Sequence, residues 1–308
     1  MPMNDSPASV EHYSLLLPSA EETSLLRACL LSDDAARAAW EDWRVRTECD
    51  FIGKHPSVRK IRPLLFEAHR RNNLKMDEAS RRFLRLSYFK EELRRDIFER
   101  ICRMVLEAFG RAQISVTVLK GAALAAQVYP PSLRHCHDID LWLRDEDVGP
   151  AKNLLASLSF RAMPVGATDV HRSHRLVHRS ELPVELHTRL FQRTGCNGIV
   201  DEIRRRCRST TISGTTAQIL APEDNLLHVC AHAFFSNSRQ SLRWVCDAWR
   251  IIERHRDLDW ELLLHTAQRS HLTLSLVVMF TYLAETLGST LPGNVLDRLA
   301  RTQTDPVI

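Results

Sequence analysis

Two acidic residues near the middle of the chain have the types and spacing that metal-dependent chemistry requires. Asp138 and Asp140 are separated by Ile139 in the segment DIDLWL. In a strand, side chains alternate between faces, so both carboxylates project to one side and the apolar residues to the other. Adjacent carboxylates repel each other unless a positive charge lies between them. Mg²⁺ binds one or two carboxylates together with phosphate oxygens and water. The pair therefore predicts a divalent-cation site, with solvated acids at a strand end as the alternative.

A third carboxylate stands in the later segment LPVELH. Alternation places Glu185 and His187 on one face of a strand and Val184 and Leu186 on the other. An acid on a strand beside Asp138 and Asp140 would complete a two-metal cluster. His187 is expected either to hydrogen-bond these acids or to take a direct part in the chemistry. A solvated strand face is the alternative reading of this segment.

A basic residue and a glycine stand at a predicted junction between a strand and a helix. Lys120 and Gly121 lie 18 positions before Asp138 in the chain, and Lys120 is one of only six lysines. Glycine lets a ligand approach the backbone closely, and a helix N-terminus offers free N–H groups to an anion. The junction therefore suggests a phosphate site, although an ordinary tight turn has the same composition.

The elements that must position these residues form a small α/β unit between two helical regions. β-Branched and alternating segments predict four strands, over residues 113–119, 138–143, 174–179 and 183–190. Helices are predicted from Ala122 to Tyr129 and from Asp145 onward. Helical periodicity runs before this unit, with Ser19 as an N-cap and Gly110 as a C-cap signal, and returns at Pro222. We therefore expect an α+β protein with three regions: 1–110, 111–215 and 216–308.

Composition excludes several classes of protein. The chain has 308 residues, 44% hydrophobic and 26% charged, with a net charge of +4. These values are typical of a globular protein. No apolar run reaches the roughly 18 residues that span a bilayer, and no secretory leader is visible at the N-terminus. Eight cysteines are scattered without a CxxC pair. We therefore expect a cytoplasmic protein with no membrane segment, and its interspersed charges argue against nucleic acid as a partner.

Two other groups of polar residues are expected to have structural roles. His228 and His232 are four residues apart, as in zinc proteases, but Val229 occupies the position of the general-base glutamate. They are expected to pack on the α/β unit, with their nitrogens hydrogen-bonded to neighbouring residues. The alternative is that they line a substrate cleft. The run of three arginines at 204–206 predicts an exposed helix face.

Taken in order, the motifs resemble a known family. The segments LKGAAL, YPP, LR, DIDL and VELH, followed by PEDNLLH and an arginine-tryptophan pair, are similar to the uncharacterised nucleotidyltransferase family of the DNA polymerase beta superfamily. The resemblance covers roughly residues 15–295. It implies a small polymerase-beta-like core with a mixed sheet, flanked by N- and C-terminal helical regions.

The resemblance also implies roles for particular residues. Asp138, Asp140 and Glu185 match the catalytic acids that bind two Mg²⁺ or Mn²⁺ ions. The turn that holds the donor triphosphate, with ATP as the expected donor, corresponds to Gly121 and Ala122, where relatives in the wider superfamily have a serine hydroxyl in place of Ala122. Lys120 and Arg134 correspond to basic positions expected on phosphate oxygens, and His187 belongs to the same donor site.

The implied activity is transfer of NMP from an NTP to a hydroxyl-type acceptor, with release of pyrophosphate. The acceptor is a small molecule, peptide or protein that the sequence does not identify. Ala122 and the long helical flanks support a second hypothesis, a catalytically weak or inactive protein that binds a partner. A metal-dependent phosphohydrolase using the same acids is the third.

Overall fold

The N-terminal part of the chain is helical and ends in one long helix. The computed structural model describes residues 17–47, 51–163, 173–191, 194–235 and 242–301. Four helices precede the sheet: α1 (Ala20–Leu30), α2 (Asp33–Thr47), α3 (Pro56–Asn72) and α4 (Glu78–Arg111). Ser19 caps α1 as predicted, because its side chain accepts from the backbone of Glu22 while the Glu22 side chain accepts in return.

The prediction that α4 ends before Gly110 is wrong, because the helix includes Gly110 and the residue after it. The helix continues through Gly110 to Arg111, and the amide of Ala112 still donates to the carbonyl of Ala108. A glycine costs only about 1 kcal/mol inside a helix. The apolar side chains of α4 that pack against the sheet outweigh this cost. The helix has 34 residues, which corresponds to a length of about 50 Å.

A seven-stranded mixed sheet forms the centre of the protein. Its strands are β1 (Thr117–Leu119), β2 (Ile139–Trp142), β3 (Phe160–Ala162), β4 (Ser173–His178), β5 (Pro183–His187), β6 (Arg208–Ile212) and β7 (Thr215–Ile219). They lie in the order β3-β4-β5-β2-β1-β7-β6. Three helices occur between them: α5 (Lys120–Gln127), α6 (Val148–Ser157) and α7 (Val200–Arg206). The predicted α+β architecture is therefore confirmed, and the four predicted strands correspond to β1, β2, β4 and β5.

Three strands are absent from the sequence-based prediction. β3 lies at one edge of the sheet, and the β6–β7 hairpin lies at the other. β6 and β7 are polar and partly exposed, so they lack the apolar alternation that marked the inner strands. Their turn, Ser213-Gly214, has positive φ at both residues, as a two-residue hairpin turn requires. The β-branched residues around this turn were the available signal.

The two faces of the sheet belong to two different hydrophobic cores. On one face, alternate residues such as Val118, Leu141 and Val184 pack against α4 and α6. The opposite face contributes Leu119 and Trp142 to a second core that contains α1, α2 and α3. Side chains one residue apart on the same strand therefore lie in separate environments, as the strand pleat requires.

Five helices follow the sheet and complete the second core. They are α8 (Pro222–Phe235), α9 (Arg243–Arg254), α10 (Trp260–Arg269), α11 (Thr273–Leu287) and α12 (Val295–Arg301). α11 returns to the N-terminal helices, where the Tyr282 hydroxyl lies 2.9 Å from the Thr23 hydroxyl. Within the described residues, none of the helices combines the length and apolarity needed to cross a membrane.

Two features of the structure bear on the predicted division into three regions. The boundary after residue 215 falls at the first residue of β7, which is hydrogen-bonded to β1 inside the sheet. The N- and C-terminal helices also share one core. The division at 110/111 and 215/216 stays a prediction about sequence regions, and the packing joins its first and last parts.

Candidate active site

Strand register brings the predicted site residues together at one end of the sheet. β1 and β2 are antiparallel, and Leu119 lies opposite Asp140. β2 and β5 are parallel, and Asp140 lies beside Glu185. Lys120 directly follows the last residue of β1. The end of β1 and the interiors of β2 and β5 therefore place an ammonium group and two carboxylates on one face.

Asp140 is the centre of this cluster. Its side chain is almost fully buried, and its Oδ1 atom accepts from Lys120 Nζ at 2.8 Å and lies 2.7 Å from His187 Nε2. Burial opposes the charge of Asp140, but Lys120 and His187 outweigh it and lower the pKa of this carboxyl. Asp140 is therefore ionised and oriented in the free protein.

Glu185 and His187 complete a set of metal-ligand atoms with Asp140. One potential ligand atom from each of the three residues lies within 4.8 Å of the others. His187 Nε2 is 3.7 Å from Glu185 Oε2, and Arg175 of β4 lies 3.4 Å from Glu185 on its other side. Two carboxylates and an imidazole suit a divalent cation, which would take the place of the proton that His187 Nε2 donates to Asp140. This donor set differs from the predicted one by including His187.

Asp138 lies just outside that set. It immediately precedes β2, and its Oδ2 atom is 3.2 Å from His137 Nε2. Arg243 approaches His137 Nδ1 at 3.2 Å from α9. An arginine can only donate, so His137 accepts on Nδ1 and carries its proton on Nε2, facing Asp138. Burial, followed by the charge of Asp140, raises the pKa of Asp138 to about 7. A nearby cation would relieve this repulsion.

The strained backbone in the turn at Lys120 is that of the lysine itself and not of Gly121. Lys120 adopts φ = 48°, whereas Gly121 has no positive φ and begins the regular part of α5. A Cβ at Gly121 would lie 3.4 Å from Cys136 Sγ, a contact that the protein tolerates. Burial opposes the charge of Lys120, but Asp140 outweighs it and raises the pKa of the ammonium group. Gly121 thus places no side chain beside the turn, and the strained backbone is that of its neighbour Lys120.

Ala122 packs away from the acids. It is buried in the same core as Ile139 and Leu141, on the face opposite Asp140. It also lines a cavity of about 420 Å³ that lies between α4, α5 and the β6–β7 turn, with Arg134 and Cys136 on its wall. A serine hydroxyl at position 122 would therefore point into the apolar core. The backbone amide of Ala122 still lies at the N-terminus of α5.

Arg134 is held by a residue of the C-terminal helices. Its Nε and Nη2 atoms donate to the two carboxylate oxygens of Asp247 at 2.8 and 2.9 Å, and Nη1 donates to the carbonyl of His135. Tyr129 donates to the same carboxylate at 2.7 Å. This buried pair joins α9 to the loop that leads into Asp138. The geometry indicates a positioning role, and the predicted contact of Arg134 with phosphate stays a prediction.

Two expectations outside the acids need correction. His228 is buried on α8 as expected, but its Nδ1 atom has no hydrogen-bond partner among the residues that the structure describes. Burial, followed by the charges of His232 and Lys120, holds the pKa of His228 well below its usual value. The arginines of α7 are also not a plain exposed face. Arg204 lies 3.7 Å above the Trp142 ring, and Arg206 donates to both oxygens of Asp224.

The mixed sheet, the turn at Lys120 and the paired acids are consistent with a nucleotidyltransferase, and a family comparison assigns that class. Residues 57–288 match the model of a family described as uncharacterised nucleotidyltransferase. Because this match covers well over half of the chain, the protein belongs to that family, and the predicted family is confirmed. No sequence among the curated proteins matches the chain.

Solved structures with some likeness to this fold include proteins of related description. The antibiotic-resistance factor ANT(2'')-Ia, in its solution structure, is 13% identical, covers 61% of this chain and 97% of its own, and has a TM-score of 0.44. A nucleotidyltransferase-like protein from Paracoccidioides brasiliensis is 15% identical, with 65% and 96% coverage and a TM-score of 0.43. The lincosamide antibiotic adenylyltransferase LnuA is 12% identical, with 49% and 93% coverage and a TM-score of 0.36. These likenesses are distant, and the family match alone assigns the chain.

Proposed function

We propose that this protein is a divalent-metal-dependent nucleotidyltransferase that transfers NMP from an NTP, with ATP as the expected donor, to a hydroxyl-type acceptor. The acceptor is a small molecule, peptide or protein. The observation that carries the proposal is the Asp140 carboxylate, which Lys120 and His187 both contact while Glu185 lies beside it in register. Such a buried, ionised cluster at the end of a sheet is typical of a functional site.

The proposed reaction exchanges one bond to phosphorus for another. The acceptor oxygen forms a bond to the α-phosphorus, the bond from that phosphorus to the β-phosphate oxygen breaks, and pyrophosphate leaves while the acceptor loses its proton. A bound Mg²⁺ or Mn²⁺ would supply Lewis acidity to the phosphoryl oxygens. Asp140, Glu185 and His187 are the residues whose geometry suits holding it, and Asp138 is the adjacent acid that we assign to the same site.

The remaining residues contribute binding and orientation. Lys120 has three N–H donors and uses one of them on Asp140, so two remain for phosphate oxygens. The first amides of α5, at Gly121 and Ala122, face the same end of the sheet and suit an anion. His187 holds Asp140 in place when no cation is bound. Arg134 positions the loop before Asp138 through Asp247.

Thermal unfolding with each nucleotide tests the proposal without knowledge of the acceptor. Wild type is melted with ATP, GTP, CTP and UTP, with and without Mg²⁺, beside Asp140→Asn and Glu185→Gln. Asp145→Asn is the matched control, since it makes the same carboxylate-to-amide change at an exposed residue. We expect a metal-dependent rise in Tm with one nucleotide in wild type and the control, and none in the two site variants.

Two outcomes would contradict the proposal. A wild-type protein whose Tm responds to no nucleotide in the presence of Mg²⁺ or Mn²⁺ has no donor site of this kind. An equal response in Asp140→Asn would place the nucleotide elsewhere. If the shifts in Tm identify a donor, the acceptor is sought by incubating the protein with that α-labelled nucleotide and cell extract. The measurement is whether label enters the small-molecule or the protein fraction.

A further inference from the structure

His228 is a buried polar residue without a structural partner. It lies in the middle of α8, where it is 3% exposed, and its Nδ1 atom accepts no hydrogen bond and donates none among the residues described. Buried polar atoms are almost always hydrogen-bonded, because leaving one unpaired is unfavourable. An unpaired nitrogen in a protein interior therefore calls for an explanation, such as a ligand that supplies the missing partner.

The helix that carries His228 packs on the face of the sheet from which Asp140 projects. Residues of α8 share a core with Trp142, which lies on the same face of β2 as Asp140. The Phe191 ring, four residues beyond the end of β5, has its centroid 6.4 Å from that of His228. His232 is the neighbour of His228 one turn further along the helix, with a centroid distance of 6.2 Å. His228 is therefore buried between the C-terminal helices and the face of the sheet that carries the acids.

The protonation state of His228 limits what it can bind. Burial and neighbouring positive charge keep the imidazole neutral, so one ring nitrogen is a donor and the other an acceptor. Nε2 of His187 contacts Asp140, and the two ring nitrogens of His137 contact Asp138 and Arg243. Nδ1 of His228 is buried and has no such partner among the residues described, so it can take one from a substrate.

We propose that His228 is a substrate-contacting residue whose Nδ1–H donates a hydrogen bond to a nonbridging phosphoryl oxygen of the bound nucleotide. The inference rests on the proposed function and deepens it by naming a contact on the helical side of the site. A phosphoryl oxygen is the group that Lys120 and a bound cation would hold beside α8, and it only accepts hydrogen bonds. A donor fixed in a site that excludes water stabilises such an oxygen strongly.

Two substitutions separate this role from a structural one. His228→Leu removes the donor and keeps an apolar side chain of similar size. His228→Asn keeps an N–H donor close to the position of Nδ1. Removing an unpaired buried nitrogen should not destabilise the free protein, so the Tm of His228→Leu without nucleotide is expected at or above the wild-type value. A histidine needed for folding would give the opposite sign. His265→Leu, at an exposed histidine of α10, is the matched control.

Isothermal titration calorimetry with Mg²⁺ measures the contact directly. The probes are the tightest-binding of ATP, GTP, CTP and UTP, and inorganic pyrophosphate. Because a hydrogen bond to a charged group is lost, the Kd of His228→Leu is expected to rise about 10- to 100-fold. His228→Asn should bind within about threefold of wild type, and His265→Leu should equal wild type. Weakened pyrophosphate binding would place the contact on the β- or γ-phosphate, and unchanged pyrophosphate binding would place it on the α-phosphate.

The outcomes distinguish this inference from the proposed function. If wild type binds a nucleotide, Asp140→Asn does not, and His228→Leu binds as tightly as wild type, the contact is overturned and the transferase site stands. Equal weakening in folded His228→Asn and His228→Leu would also overturn a donated hydrogen bond. If wild type binds no nucleotide, the proposed function fails, and the contact fails with it.

Discussion

The two faces of the central sheet differ in what alternate residues of the same strands contact. On β2, Leu141 packs into a dry core with α4 and α6, while Asp140 accepts hydrogen bonds from Lys120 and His187 on the other side. β5 repeats the pattern with Leu186 and Glu185. The apolar face is held by packing, whereas the polar face, which carries the acids, combines the packing of Leu119 and Trp142 with charge pairs around Asp140.

On these strands, a side chain of the apolar core and a candidate site residue are therefore separated by one residue of strand register. A shift of one residue would exchange the two sets of side chains. Fully buried side chains on both faces, such as Leu141 and Trp142, fix the register and with it the positions of the acids.

The largest expected effect comes from the ion pair that closes the polar side. Asp247→Asn leaves Arg134 buried beside a neutral amide, and breaking a buried pair in this way costs about 3–5 kcal/mol. Denaturant unfolding measures the loss. The double variant Arg134→Met with Asp247→Leu should recover most of it, because no charge is then left unpaired. If nucleotide binding survives in the double variant, Arg134 is a positioning residue, and if binding is lost, Arg134 contacts phosphate.

The apolar face is tested by shortening one of its side chains. Leu141 is fully buried, so Leu141→Ala is expected to lower the free energy of unfolding by about 2–5 kcal/mol. Nucleotide affinity per folded molecule should stay at the wild-type value, because Asp140 and its partners lie on the other face. Chemical denaturation and calorimetry at low temperature give the two numbers. A large loss of affinity in folded protein would show that the faces are not independent.

Metal addition tests the polar face without a mutation. The mutual repulsion of Asp138, Asp140 and Glu185 should be relieved by a divalent cation. At about 100 times its Kd, Mg²⁺ or Mn²⁺ is expected to raise the free energy of unfolding by about 2.7 kcal/mol. A chelator should reverse the rise. Leu141→Ala should retain the same increment from its lower starting point, whereas Glu185→Gln should lose most of it.

The smallest expected effect concerns the position where the wider superfamily has a hydroxyl. Ala122 packs in the apolar core, so Ala122→Ser places a hydroxyl there at a cost of about 1 kcal/mol. Its effect on nucleotide affinity should stay within about twofold. Melting and calorimetry on the same sample measure both. A rise in affinity of tenfold or more would show that this position faces the triphosphate and that alanine weakens the natural donor site.

Strand pattern predicted which candidate residues share a face within each strand. Alternation in DIDLWL places Asp138 and Asp140 on one face, and alternation in VELH does the same for Glu185 and His187. The register of the two strands then brings Asp140 beside Glu185. The β6–β7 hairpin at one edge of the sheet was not predicted, because its strands are rich in polar residues and partly exposed. Apolar alternation reveals a strand in the sequence only when one face of that strand is buried.

Contacts between distant segments could not be predicted in the same way. Arg134 and Asp247 are 113 residues apart, and nothing in the spacing of either indicates the other. His228 was predicted to be buried with its nitrogens hydrogen-bonded, because buried histidines usually are. Its unpaired Nδ1 atom became visible only when α8, the sheet and Phe191 were placed together. A missing partner is a property of three-dimensional packing and has no local sequence signal.

The contact between Thr23 and Tyr282 has a consequence for how the chain is made. Helices α1–α3 share their core with α8–α11, so their apolar faces have no complete partner until the last third of the chain has left the ribosome. The sheet and α4, in contrast, are nearly contiguous in sequence and can pack first. Exposed apolar surface on a nascent chain favours aggregation. The core that joins α1–α3 to α8–α11 is therefore completed only after the residues of the sheet have been synthesised.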